Sequence, residues 1–173
     1  MSINLNDINS NTSNVCVVLD NVRSAQNVGS FFRTCDSLNV EKIFLCGITS
    51  VPPNKEIFKT ALGATESVKW NYFENTIQCI EHLKSKDYVI ICVEQTENSL
   101  MLNNYKFDLD KNICLVFGNE IEGVSKDIIE IADECLEIPQ LGTKHSLNVS
   151  VAGGIVIWDL LSKKLNSKNN LTL

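Results

Sequence analysis

The sequence predicts an α/β domain, a mainly parallel sheet flanked by helices. Short apolar runs alternate with stretches whose apolar residues recur at helical spacing, which is the pattern of strand–helix units. Two of the runs, YVIICV at residues 88–93 and ICLVF at 113–117, are apolar almost without interruption. Strands look like this when helices cover both faces of their sheet.

The elements follow in order. Residues 15–19 (VCVVL) form a buried strand, and Asn27 can cap a helix carrying Phe31, Phe32, Cys35 and Leu38. Residues 42–46 (KIFLC) form a second strand, and Pro52 and Pro53 mark a loop. A short strand is expected at 68–73, then a helix at 77–83 with Ile77, Ile80 and Leu83 on one face. After the two long apolar strands, Ser125 caps a helix with Ile128, Ile129 and Ala132. A brief extended piece at 136–139 leads to a closing helix at 148–165. That helix is apolar almost all round, so it must be covered on more than one side. Gly153 and Gly154 would let another backbone approach it, and it is expected to serve both the core and a dimer interface. The chain divides into a polar extension at 1–14, one domain at 15–165 and a polar tail at 166–173.

Composition excludes several classes. The longest apolar run, residues 149–158, is about half the ~20 residues needed to cross a bilayer, so no membrane span is expected. The first 14 residues are Asn-rich and lack a basic segment followed by an apolar one, so a cytoplasmic protein is expected. Seven cysteines occur without a CxxC pair, and Cys16, Cys46, Cys92 and Cys114 sit inside apolar runs. Buried free thiols are the expectation, and no metal site.

Charge is unevenly spread. The formal net charge is −6 and the isoelectric point about 4.9, which argues against nucleic-acid binding by bulk charge. Acids crowd residues 118–137, whereas Lys144, Lys163, Lys164 and Lys168 face only Asp159 beyond residue 137. This reads as a solvated acidic face with a basic tail, or as a polarised surface able to meet a polyanion. Thirteen of the fifteen basic residues are Lys, and the two arginines, Arg23 and Arg33, share one short stretch. Arginine offers a planar fork for phosphate or carboxylate that lysine cannot copy.

Ligands of such folds bind at loops after the carboxyl ends of parallel strands. Three loops stand out: DNVRSAQNVGSFFR at 20–33, GNEIEG at 118–123 and IPQLGTKHSLN at 138–148. GNEIEG has the spacing of a phosphate loop but no following Lys-Ser/Thr, and its acids repel phosphate. Carboxylates and carbonyls on such a turn suit a cationic or adenosine-like ligand.

At these loops the sequence resembles the SpoU (TrmH-type) RNA 2′-O-ribose methyltransferases of the SPOUT superfamily. The N-x-G-x-x-x-R motif is similar to Asn27-Val28-Gly29-Ser30-Phe31-Phe32-Arg33. The G-x-E-x-x-G turn is similar to residues 118–123, and I-P-x-x-G-x-x-x-S-L-N-V-S-V-A to residues 138–152. Order and spacing agree from about residue 15 to 161. The resemblance implies a C-terminal deep trefoil knot, S-adenosyl-L-methionine as cofactor and a homodimer. It implies transfer of a methyl group to a ribose of structured RNA, tRNA first and rRNA second, with no DNA or membrane partner. Main-chain groups around Val93, Gly118, Ile138 and Leu147, with Ser146, would hold the cofactor. Arg33 would clamp a phosphate or the 2′-oxygen, since a group with a pKa above ~12 is a poor base. Asn27 would orient the loop or ribose, Glu120 brace its turn, and Ser146 and Asn148 supply hydrogen bonds. Each has a plainer role open to it: a helix cap for Asn27, a turn residue for Glu120, a helix start for Ser146, a surface ion pair for Arg33. Arg23 is a possible phosphate contact, and His145 a possible RNA contact or a plain loop histidine. The tail lysines would add a few phosphate contacts. Two other classes stay open, a non-catalytic RNA-binding factor retaining the knot and a small-molecule methyltransferase.

Overall fold

A computed structural model describes residues 14–143 and 146–169, the side chains of 167–169 excepted. Lys144 and His145, and most of the polar extension at 1–14, therefore lie outside the described residues.

The chain runs β1 (Val15–Asp20), α1 (Ala25–Ser37), β2 (Lys42–Cys46), α2 (Lys55–Ala61), α3 (Ala64–Ser67), β3 (Trp70–Phe73) and α4 (Thr76–Lys84). It continues with β4 (Tyr88–Val93), β5 (Leu100–Met101), β6 (Asn112–Phe117), α5 (Lys126–Ile131), β7 (Glu134–Glu137) and α6 (Val149–Asn169). The strands form one seven-stranded sheet in the order β3-β2-β1-β6-β4-β7-β5. Every pairing is parallel.

Alternation along the strands divides the core between the two faces. Val15, Val17 and Leu19 of β1 point to one face with Phe31, Phe32, Ile57, Val156, Ile157 and Leu160, so α1, α2 and α6 cover that side. Cys16 and Val18 point to the other with Cys79, Ile80, Leu83 and Ile128 from α4 and α5. Six of the seven cysteines are buried and all are free, as their apolar context predicts. Burial raises the Cys35 and Cys92 thiol pKa values well above their usual range.

Several local expectations are corrected. The cap of α1 is Ser24, whose Oγ accepts from the Asn27 N–H at 3.3 Å. Asn27 stands inside the first turn, so its own side chain is free to reach across to another loop. Ser125 precedes α5 but its hydroxyl donates to Asp20 at 2.7 Å instead of capping the helix. Helix α2 went unread because it follows two prolines and is short; Asn54 caps it, accepting from Glu56 N–H at 2.9 Å. The closing helix passes the expected boundary at 165 and runs to Asn169. The ring of Phe31, not a backbone, meets Gly153: an added Cβ would lie 2.3 Å from it.

The basic tail is also partly committed to the fold. Lys163 Nζ donates to Asp159 at 2.6 Å and to the Tyr105 carbonyl at 3.0 Å. Lys164 is buried and donates to Asn14. Neither is the freely swinging phosphate contact expected of it.

Candidate active site

The loops singled out in sequence meet at the carboxyl edge of the sheet. Leaving β1, Asp20 is fully buried and accepts four hydrogen bonds: from Asn21 Nδ2 (2.9 Å), Thr76 Oγ1 (2.6 Å), Ser125 N–H (2.9 Å) and Ser125 Oγ (2.7 Å). A buried carboxylate is tolerable when its lone pairs are filled in this way. It ties the ends of β1, α4 and α5 together beneath the site.

Leaving β6, the Gly118–Gly123 segment turns back on itself. Asn119 and Gly123 exchange backbone hydrogen bonds at 2.9 Å each, and Asn119 Oδ1 accepts from the N–H groups of Ile121 and Glu122. A Cβ on Gly118 would fall 2.1 Å from the Gly123 carbonyl carbon, so this turn closes only around glycine. Gly123 has φ +73°, and a Cβ there would strike the Glu94 carboxylate at 2.2 Å.

Glu120 projects from that turn onto the start of α1. Its carboxylate accepts from Arg23 N–H (2.9 Å), Ser24 N–H (3.0 Å) and Asn27 Nδ2 (2.9 Å). Desolvation pushes its pKa up, but these hydrogen bonds outweigh it and hold the carboxyl below the usual carboxylate value. An anion at the N-terminus of α1 is also favoured by the helix dipole. Asn27 then turns its Oδ1 to Asn148 Nδ2 at 3.1 Å and to Ser150 Oγ at 3.4 Å. Asn148 in turn starts α6, its Oδ1 accepting from Ser150 N–H at 2.9 Å. One asparagine therefore joins the first, second and third motif.

Beside this junction lies a cleft of about 200 Å³. All five residues expected to hold a cofactor line it: Val93, Gly118, Ile138, Ser146 and Leu147. Glu120 lines it too. Its apolar wall comes from Phe117, Leu136, Val149 and Ala152, and its carboxylates are Glu94, Glu120 and Glu137. Glu94 and Glu137 were missed in sequence, although Glu94 follows the apolar strand β4 and Glu137 closes the short strand β7 at this edge. Ser150 was missed because one residue separates it from the more obvious Asn148. Apolar walls with carboxylates nearby suit an adenosine group that carries a positive charge.

Arg33 is not brought to this cleft. It is exposed, and six residues beyond Asn27 it stands about 240° further round α1. Its side is that of Gly29, where α2 packs: a Cβ on Gly29 would meet Ile57 O at 2.3 Å and Thr60 Oγ1 at 2.1 Å. No ion pair holds its guanidinium among the described residues, which removes the surface-pair alternative. Likewise, among the described residues no three His, Cys, Asp or Glu side chains gather as a metal would need, and no helix is long and apolar enough to cross a membrane.

A family model described as the SpoU rRNA Methylase family matches residues 14–158. A tRNA (guanosine(18)-2′-O)-methyltransferase of Aquifex aeolicus is 35% identical over 147 residues, covering 83% of this chain and 66% of that protein. A 23S rRNA (guanosine-2′-O-)-methyltransferase of Vibrio vulnificus is 28% identical, covering 96% and 68%. The chain spans between 58% and 68% of the length of most of the curated relatives it matches, and 10% of one of them. Among solved structures, the A. aeolicus TrmH/SpoU tRNA modifying enzyme superposes with a TM-score of 0.80 at 29% identity, over 90% of this chain and 77% of that one. The AdoMet-bound rRNA methyltransferase of Sinorhizobium meliloti gives 0.80 at 26% identity, over 86% and 56%.

Proposed function

Because the chain belongs to the SpoU rRNA methylase family, we propose that it methylates a ribose 2′-hydroxyl of structured RNA, tRNA first and rRNA second, with S-adenosyl-L-methionine as donor. One observation carries this reading. Asn27 of the first motif hydrogen-bonds to both Glu120 of the second and Asn148 of the third, beside a cleft lined by Glu120 and all five residues expected at the cofactor. The relatives named above act on tRNA or rRNA by their names, and the S. meliloti structure holds AdoMet, which supports both substrate and donor.

When bound, the cofactor supplies an electrophilic methyl group on a sulfonium. The chain's part is to place and polarise. In this reading Val93, Gly118, Ile138 and Leu147 hold the cofactor through their main chain, and Ser146 adds a hydroxyl. The carboxylates of Glu94, Glu120 and Glu137 favour its positive charge. Asn27 and Asn148 fix the geometry in which the ribose oxygen meets the methyl group, and in-line positioning carries much of the rate. Arg33 stabilises the negative charge that grows on the 2′-oxygen or grips the adjoining phosphate, and the proton leaves to an RNA phosphate oxygen or to water.

Arg33 stands off the cleft of its own chain, so this assignment needs the assembled homodimer on RNA. Exposed apolar residues support such a dimer: Val151, Ile155 and Trp158 on α6. Ile155 and Trp158 line an open groove of about 490 Å³ with Leu102, Ile138 and Pro139. The trefoil knot belongs to the same reading and would involve β6, β7 and the chain leading into α6. So do one domain over about 15–165 and a cytoplasmic location. Labelled S-adenosylmethionine incubated with total tRNA, and with rRNA in parallel, tests the proposal after digestion to nucleosides. Label in a 2′-O-methylated nucleoside is expected. No transfer to either RNA by protein that binds the cofactor would overturn it in favour of a non-catalytic RNA-binding factor.

A further inference from the structure

The cleft described above sits over the ends of β4, β6 and β7 and leaves another crevice unused. In the sheet order, β1 and β6 are neighbours, yet their connections diverge. From β1 the chain goes through α1 on one face to β2; from β6 it goes through α5 on the other face to β7. The carboxyl ends of two such strands open a crevice at the point where the winding reverses, and open α/β sheets bind ligands there.

In this protein that crevice is a groove of about 560 Å³ lined by Asn21, Arg23, Ile48, Asn119, Ile121 and Glu122 among others. It shares only Ile121 and Gly123 with the cofactor cleft, so the turn after β6 forms a partition between the two. Its floor is built and rigid. Asn119 Nδ2 donates to the Asn21 carbonyl at 2.9 Å, and Asn21 Oδ1 accepts from Ile48 N–H at 3.1 Å. Asn21 is held at φ 56°, a conformation uncommon outside glycine. Gly47 at φ 63° leaves room for its amide, since a Cβ there would lie 2.1 Å from Asn21 Oδ1. Left-handed residues converging on a groove are a mark of a site whose backbone is shaped for a ligand.

What lines the groove above that floor is unspent. The Arg23 backbone N–H serves Glu120, but its guanidinium is exposed and in no ion pair among the described residues. Ile48 and Ile121 are 65% and 76% exposed, a large fraction for branched apolar side chains lining a groove. Glu122 carries an acceptor-only carboxylate. A cation at one place, apolar walls and an acceptor at another match a nucleotide: phosphate, base faces and base amino or imino donors. Glu122 repels phosphate, which assigns the phosphate to Arg23 and a base edge to Glu122.

We propose that this switch-point groove is an RNA-nucleotide subsite separate from the cofactor cleft, in which Arg23 grips a phosphate and a base lies between Ile48 and Ile121. The proposal rests on the methyltransferase reading and would make Arg23 and Ile48 positioning residues for the RNA strand whose ribose crosses the partition.

Filter binding of bulk tRNA to the full chain tests it, with S-adenosylmethionine calorimetry alongside. Arg23→Gln and Ile48→Asp change exposed side chains that hold nothing in the fold. Each should weaken tRNA binding about tenfold while cofactor affinity stays within twofold. Lys69→Gln, which removes the same charge from an exposed site away from the groove, should weaken tRNA binding less than twofold. Equal tRNA binding by wild type, Arg23→Gln and Ile48→Asp would overturn the groove even if the wild type methylates RNA normally. A matching loss of cofactor affinity would also overturn it, since the subsite would not be separate. Selective loss in protein that binds tRNA yet transfers no methyl group would sustain the groove and overturn the enzyme reading instead.

Discussion

Asn27→Asp is the sharpest test of the junction because it changes one atom of the link and keeps its shape. The wild-type amide uses its oxygen toward Asn148 and Ser150 and its nitrogen toward Glu120 at 2.9 Å. In the variant the oxygen contacts survive, but the donor facing Glu120 becomes a second carboxylate oxygen. Two unit charges at that separation repel by about 1.4 kcal/mol in a water-like dielectric and about 6 kcal/mol at an effective dielectric of ~20. Glu120 is partly open to solvent, which places the cost near the lower end, about 2 kcal/mol. For a domain of this size that is a fall of about 1 M in urea midpoint at pH 7. The pH dependence carries an opposite sign in the two proteins. Wild-type Glu120 has a folded pKa below its ordinary value of 4.5. Its stabilisation is therefore present above that value and lost as pH falls through the folded pKa. In Asn27→Asp the crowded pair holds one proton more tightly when folded than unfolded, so acid relieves the penalty. The gap between the two proteins should be widest at pH 7 and shrink toward pH 4. Equal midpoints at pH 7, or a gap unchanged at pH 4, would refute the geometry assigned to this junction.

Three further outcomes are expected. Gly29→Ala forces a Cβ to within 2.3 Å of the Ile57 carbonyl; the overpacking exceeds the roughly 1 kcal/mol helix-propensity gain, for a net loss of about 1–2 kcal/mol in urea unfolding. Trp158→Asp, at a residue 57% exposed in the isolated chain, should convert the proposed dimer to monomer by light scattering without unfolding it; an unaltered mass would place the interface elsewhere. Native protein should react with a thiol reagent at Cys135 first, because the other six cysteines are buried, and all seven should react in denaturant; fast labelling of several thiols in the native state would contradict the core.

The fold was legible because its strands are simple. Residues of β1, β4 and β6 are apolar on both faces, and only a covered parallel sheet accommodates that. What escaped reading was short or locally ambiguous. Two-residue β5 has no pattern of its own, and α2 is seven residues long behind two prolines. Asparagine commonly caps helices, and on that ground the sequence points to Asn27. Ser24 fills that role, a difference of three residues that neither propensity nor periodicity resolves. The cofactor residues emerged together because they follow the carboxyl ends of strands or open the last helix. The placement of Arg33 could not be seen at all from the motif. Which side of α1 faces the cleft depends on α2 packing against Gly29, and α2 was the element that went unread.

The motif residues divide by what their side chains already do. Asn27 is spent on Glu120 and Asn148, and each of those on Asn27, while Gly29, Gly118 and Gly123 allow backbones or side chains to approach. Arg33 and Ser146, by contrast, have no hydrogen bond among the described residues and are exposed. A group that holds nothing in the fold can be kept for the reaction, so the two sets should separate in paired measurements. Arg33→Ala should leave the unfolding free energy in urea within about 0.5 kcal/mol of wild type while turnover falls by about 10²-fold or more, the scale for losing one stabiliser of developing charge. Asn27→Ala should lower both, because removing it leaves Glu120 and Asn148 each short of a partner. If Arg33→Ala proved as destabilising as Asn27→Ala, the arginine would be structural and the division would fail. If it kept near-normal turnover with full stability, the charge that grows on the ribose oxygen would have to be met by another group.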